Sequence, residues 1–141
     1  MSKGIIIETS LKFSAKIIKL QQYLIKQKKE TIISKQIIRS ATSIGANINE
    51  ANYGSSKQDF IAKMHIALKE CAETEYWIRL LKEAEYIEEN YAIGLLDDCL
   101  SIKRMLISSL NTIKSNIQQE WAMLIMKQKK PSLLFHLCNN T

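Results

Sequence analysis

Apolar residues recur along this chain at alternating spacings of four and three, the rhythm of a helix with one buried face. Behind Ser10, which can cap a helix, Phe13, Ile17, Leu20 and Leu24 keep that rhythm, with Leu11, Ile18 and Ile25 beside them, and predict a first helix to about Lys29. A second stripe of Ile33, Ile37, Ala41, Ile44, Ile48 and Ala51 predicts a helix from about Ile33 to Tyr53. Ser56 and Asp59 form an S-x-x-D cap for a third helix to about Ala84. Its seam of Phe60, Met64, Ala67, Cys71, Thr74, Ile78 and Leu81 is heptad-like, with small middle residues that permit close approach. Leu95, Cys99, Ile102, Leu106, Ser109 and Ile113 face inward on a fourth helix. Short connections force neighbours to run antiparallel, so the predicted fold is all-α, an antiparallel up-down four-helix bundle over residues 10–117. Residues 1–9 form an N-terminal extension and 118–141 a C-terminal one.

The polar positions are patterned too. Lys12, Lys16, Lys19, Tyr23 and Lys26 form one stripe of the first helix, with Lys28 and Lys29 at its end. On the second helix Gln36, Ser40, Ser43, Asn47 and Glu50 share a face, and Gly45 sits mid-helix at a cost of about 1 kcal/mol against alanine. Close approach of another helix is the usual reason for such a glycine. Ile66, Glu70, Glu73, Trp77, Leu80 and Ala84 flank the third seam and set two carboxylates beside an aromatic.

Composition narrows the function. Four glycines and one proline leave too little turn chemistry for a sheet protein. Two histidines, at 65 and 136, and no glycine-rich loop leave few parts for catalysis or phosphate cradling, so no catalytic residue is assigned. His65 and Cys71 lie six residues apart, off any shared helix face, and paired carboxylates without a ligand histidine make a poor divalent site. Neither metal nor cofactor is expected. Cys71, Cys99 and Cys138 form neither a disulfide framework nor a zinc signature and read as reduced thiols. With no signal-peptide core and no membrane-length apolar run, the expected location is the cytoplasm, with no membrane partner.

The net charge of +6 is unevenly spread. Residues 1–39 carry nine basic and two acidic side chains, 40–100 five and eleven, and 101–141 six and one. A basic–acidic–basic chain suits either a polyanion held at its ends or charge pairing between elements and copies. The stripe of Lys12, Lys16, Lys19, Tyr23 and Lys26 is accordingly a phosphate-contacting surface, a solvated helix face, or the partner of a neighbour's acidic third helix. Arg39, Ser43, Asn47 and Glu50 read as a polar network that sets register or an interface, with Arg39 matched to Glu70 or Glu73. Beyond Gln118, Trp121, Leu124 and Ile125 continue a helix to about Lys130, where Pro131 is expected to stop it. Leu133, Leu134, Phe135 and Leu137 then suit a protein partner, the bundle itself, or a frayed end.

Two segments resemble a known family. R-S-A-x-S-I-x-A-N-I-x-E, carried by Arg39, Ser40, Ala41, Ser43, Ile44, Ala46, Asn47, Ile48 and Glu50, and the pattern from Ala67 to Leu81 with Glu70, Glu73 and Trp77, are similar to the S23, or 23S rRNA intervening-sequence, proteins. The resemblance spans roughly residues 10–117 and implies a bacterial four-helix bundle that assembles as a ring, typically a homopentamer, with no known enzymatic activity. A related bundle, a basic pentameric accessory protein of retroelements that binds a reverse transcriptase and nucleic acid, lacks the S-I-G-A-N-I stretch and is similar at the level of fold alone. The function expected is a non-enzymatic oligomeric scaffold for RNA or DNA; the alternatives are an adaptor docking a protein such as a reverse transcriptase through the tail, and a structural oligomer.

Overall fold

The computed structural model describes the backbone of residues 3–54 and 56–139 and the side chains of 4–54 and 56–128. It contains α1 (Lys3–Lys28), α2 (Ile32–Ala51), α3 (Lys57–Glu83) and α4 (Glu89–Asn139), and no strand among the described residues. The chain divides into two compact units, residues 1–108 and 109–141. The first is the all-α four-helix bundle, completed by the opening turns of α4; the second is the remainder of that helix.

α1 starts earlier than the sequence suggests. Ser10 is no cap: it is buried inside the helix, its hydroxyl donating to Ile7 O at 2.8 Å. Ile6 adds a further buried turn upstream, so residues 3–9 belong to α1 and are not an extension. Serine side chains satisfy themselves on the preceding turn mid-helix as well as at a cap, which made this start ambiguous. The helix closes on Lys29, whose φ of 56° is left-handed, while Glu30 N–H reaches back to Leu24 O at 3.0 Å. Glu30 then turns its buried carboxylate onto α2 and accepts from the amides of Ile32 (2.9 Å), Ile33 (2.9 Å) and Ser34 (2.8 Å). Three otherwise orphaned donors and the positive end of the helix are satisfied by one side chain.

Ile37, Ala41, Ile44, Ile48 and Ala51 are buried on α2 as expected, and Met64, Ala67, Cys71, Thr74, Ile78 and Leu81 on α3. Thr74 Oγ1 donates across to Ser40 Oγ at 2.9 Å, and Ser40 Oγ donates to Ile37 O at 3.2 Å, so both hydroxyls are satisfied inside the core. Ser56 accepts from Asp59 N at 3.1 Å, the cap read from the sequence. On α4 Leu95, Cys99, Ile102 and Leu106 are buried, while Ser109 and Ile113 are only half-buried. Cys71 Sγ lies 3.6 Å from Cys99 O, and contact with Cys71 followed by burial pushes the Cys99 thiol well above the usual range. That pair behaves as small core hydrophobes.

Leu11, Ile18 and Ile25 are exposed and do not join the buried face of α1. At 100° per residue they lie about a third of a turn from the core line, too far to be covered by α2 or α4. The backbone also stays helical through Pro131 to Asn139, where a stop after Lys130 was expected. Proline costs a helix one hydrogen bond and a local clash, which bends or strains it without always ending it. The side chains of Leu133, Leu134, Phe135, Leu137 and Cys138 lie outside the described residues.

Gly45 does face another helix. It is α1, through Ser10 and Ser14, that approaches, and Ser14 Oγ sits 3.5 Å from Ala41 O. A Cβ at Gly45 would meet Ser10 Oγ at 3.4 Å and Ser14 Oγ at 3.6 Å, ordinary contact distances. Gly45→Ala is therefore expected to stabilise the protein by about 0.5–1 kcal/mol, whereas Gly45→Leu, which must push into Ser10 and Ser14, should destabilise it. Thermal unfolding checks both; destabilisation by alanine would mean that α1 sits closer than these distances.

Candidate nucleic-acid interface

The core line of α1 passes through Ile6, Phe13, Ile17, Leu20 and Leu24. Helical geometry places Lys12, Lys16, Lys19, Tyr23 and Lys26 about 120° to one side of it and Leu11, Ile18 and Ile25 about 120° to the other. All five stripe residues are exposed, as are Lys28 and Lys29.

The stripe is not uniform. Lys12 stands 4.0 Å from Glu8 on its own helix. Lys16 Nζ is held at 2.8 Å by Asp98 of α4, which places α4 beside the basic face. Exposed pairs of this kind are worth between zero and about 1 kcal/mol and leave the lysines available to anions. Lys19 and Lys26 have no ion-pair partner among the described residues. Tyr23 and Lys28 instead border a recess that contains Lys82, Glu85, Glu88 and Glu89, with Lys82 paired to Glu89 at 3.6 Å. Three carboxylates there make the end of the stripe unfavourable for a polyanion, whereas the reach from Lys12 to Lys19 stays basic.

Tyr91 and Gly94 were not singled out from the sequence, and they belong to this surface. With Lys16, Lys19, Asn90, Leu95 and Asp98 they line an open cleft of ≈ 370 Å³ between α1 and α4. Burial raises the affinity of the Tyr91 phenol for its proton, and the charge of Lys16 opposes that shift. No periodicity reveals such a cleft, because its walls come from helices more than seventy residues apart in sequence.

The second set of candidates separates into three. Arg39 of α2 bridges both carboxylates of α3, hydrogen-bonded to Glu73 and 3.5 Å from Glu70. Asn47 stays within α2, donating to Ser43 O (2.8 Å) and Ser43 Oγ (3.0 Å). Glu50 pairs with Lys63 of α3 at 2.8 Å, away from Arg39. Arg39 and Glu50 join α2 to α3, whereas Ser43 and Asn47 bond to each other within α2. Among the described residues no group of His, Cys, Asp and Glu is placed to hold a metal ion, and no helix is long and apolar enough to cross a membrane.

Comparison with known proteins bears on the bundle as a whole. Residues 2–108 match the family described as 23S rRNA-intervening sequence protein. A solved structure from Bacteroides thetaiotaomicron VPI-5482, of a protein with unknown function from the S23 ribosomal protein family, is 44% identical, with a TM-score of 0.78 over 79% of this chain and 99% of its own. No curated protein matches.

The Arg39 cluster yields a pH test. Burial, and then Glu73, raise the Glu70 carboxyl above its ordinary value of 4.5, against the pull of Arg39. Just above that value the folded protein keeps a proton that the unfolded chain has released, so stability falls as pH rises through the window. Glu70→Gln has no such proton to lose. Its melting temperature relative to the unsubstituted protein is expected to climb as pH rises above 4.5, and a difference independent of pH would contradict the assignment.

Proposed function

The chain belongs to the 23S rRNA-intervening sequence protein family, and from that premise we propose that it is a non-enzymatic, oligomeric scaffold of the bacterial cytoplasm that binds RNA or DNA through the basic face of α1. The observation that carries this reading is the stripe Lys12, Lys16, Lys19: three exposed ammonium groups in one row, two of them tethered only by surface pairs, beside an open cleft. Each phosphate such a row neutralises releases counterions, which makes affinity fall steeply with salt.

Assembly into a ring is supported by a different feature. Leu11, Ile18 and Ile25 form an exposed row on the α2 side of α1, and Ile93, Leu100 and Ile107 form another on the α3 side of α4. Two unlike apolar rows on different flanks suit a head-to-tail contact between copies, the kind that closes into a cyclic oligomer such as a pentamer. Neither row includes the lysines, so a ring of this kind leaves the basic face open.

A second reading, an adaptor for a protein partner, rests on Trp121, Met123, Leu124, Ile125 and Met126, all exposed on α4 beyond the family match. One experiment separates the two. Binding of labelled RNA and DNA is measured across a salt series, with the oligomer mass recorded in the same buffers. Reversing Lys12, Lys19 and Lys26 to Glu is expected to weaken binding by more than about tenfold and to flatten the salt dependence, while deletion from Gln118 onward leaves affinity intact. Unchanged binding by the triple variant, or loss on deletion of the tail, would overturn the basic-face reading in favour of the adaptor.

A further inference from the structure

Gly94 lies inside α4 with no positive φ, so no backbone conformation requires a glycine there. Nothing lies within 4 Å of where its Cβ would stand, so no neighbouring helix requires one either. A helix-interior glycine costs about 1 kcal/mol against alanine, and what its missing side chain leaves at this position is the open floor of the α1–α4 cleft. Around that floor the chemistry is mixed in a specific way. Lys16 is fixed at the rim by Asp98 at 2.8 Å, Lys19 is a second ammonium on the same wall, and Tyr91, 45% exposed, stands one helical turn from Gly94. The ≈ 370 Å³ of the cleft falls in the range of sites that accept one small organic group.

We propose that this notch holds one unpaired nucleotide, its phosphate against Lys16 and Lys19 and its base on the ring of Tyr91 over Gly94, so that the basic face takes single strands in preference to duplex. The inference rests on the nucleic-acid reading above and specifies which form of nucleic acid the face takes. A duplex presents phosphates to a lysine row equally well, but its bases are already stacked and cannot enter a cleft between two helices. A single strand offers a base to any aromatic platform beside a cationic track, and the contact tolerates every base because each has a π-face. Asp98 faces the cleft as the one carboxylate lining it; occupied by Lys16, it leaves the wall with a net positive charge from Lys19.

The test uses the full-length protein with oligo(dT), oligo(U) and a blunt duplex of equal length, each titrated at several salt concentrations. The unsubstituted protein is expected to bind a single strand more tightly than the duplex. Tyr91→Ala should lose roughly 5- to 100-fold toward the strand, the size of one base–aromatic stack, with duplex affinity and salt slope unchanged. Tyr91→Phe, which keeps the ring, should restore binding. Gly94→Met, which fills open space and changes no charge, should reproduce the loss with helical content unaltered by circular dichroism. The two strands share the phosphate and pyrimidine ring that the notch requires, so both are expected to bind. Full strand affinity in both Tyr91→Ala and Gly94→Met, with loss only in Lys19→Glu, would overturn the notch and leave the basic face standing. No binding by the unsubstituted protein at low salt would overturn both.

Discussion

Burial of Ile6, Phe13, Ile17, Leu20 and Leu24 along one line sets the rotation of α1 about its own axis, and the placement of every other α1 side chain follows from it. Each of these large side chains contributes about 1.5–3 kcal/mol on burial, while the exposed pairs Lys12–Glu8 and Lys16–Asp98 contribute at most about 1 kcal/mol each. Core burial therefore decides the rotation, and the charges accept the position it gives them. That position sets the lysines beside α4 and the row of Leu11, Ile18 and Ile25 on the opposite flank. Were the helix turned by one residue, the basic stripe would no longer border Asp98, Tyr91 and Gly94.

The remaining helices hold that frame with few buried polar atoms left over. Glu30 caps α2 through three amides, Thr74 and Ser40 satisfy one another, and Arg39 ties α2 to Glu70 and Glu73 at the surface. Ser34 Oγ of α2 and Trp77 Nε1 of α3 are buried without a hydrogen-bond partner, and the buried Glu70 Oε2 has the Arg39 guanidinium at 3.5 Å. The polar contacts thus fall on different faces: Arg39 and Glu50 pair across α2 and α3, and the cleft lined by Lys16, Lys19 and Tyr91 lies between α1 and α4.

Much of this was legible in the sequence. The stripes of α2 and α3 run through the middle of both helices without a break, so period alone gave their cores, and Ser56 announced the start of α3 through its hydroxyl. Periodicity says which residues share a face but not which faces meet. Period sets Leu11, Ile18 and Ile25 beside the buried face of α1 without saying that no helix covers them, and it assigns Gly45 a neighbouring helix but not α1 in particular. Glu30 hides its capping role because it precedes the helix it serves by two residues. Tyr91 and Gly94 carry no local signal at all, since the cleft exists only once Lys16 and Asp98 have met.

The central claim is that the α1–α4 face is where nucleic acid lies, and ultraviolet cross-linking of a bound single strand, with the attached peptides identified by mass spectrometry, tests it most directly. The account predicts adducts on the peptides that contain Lys19 and Tyr91, lost in high salt. Adducts confined to Trp121 and its neighbours, or spread evenly over the lysines of every helix, would contradict it.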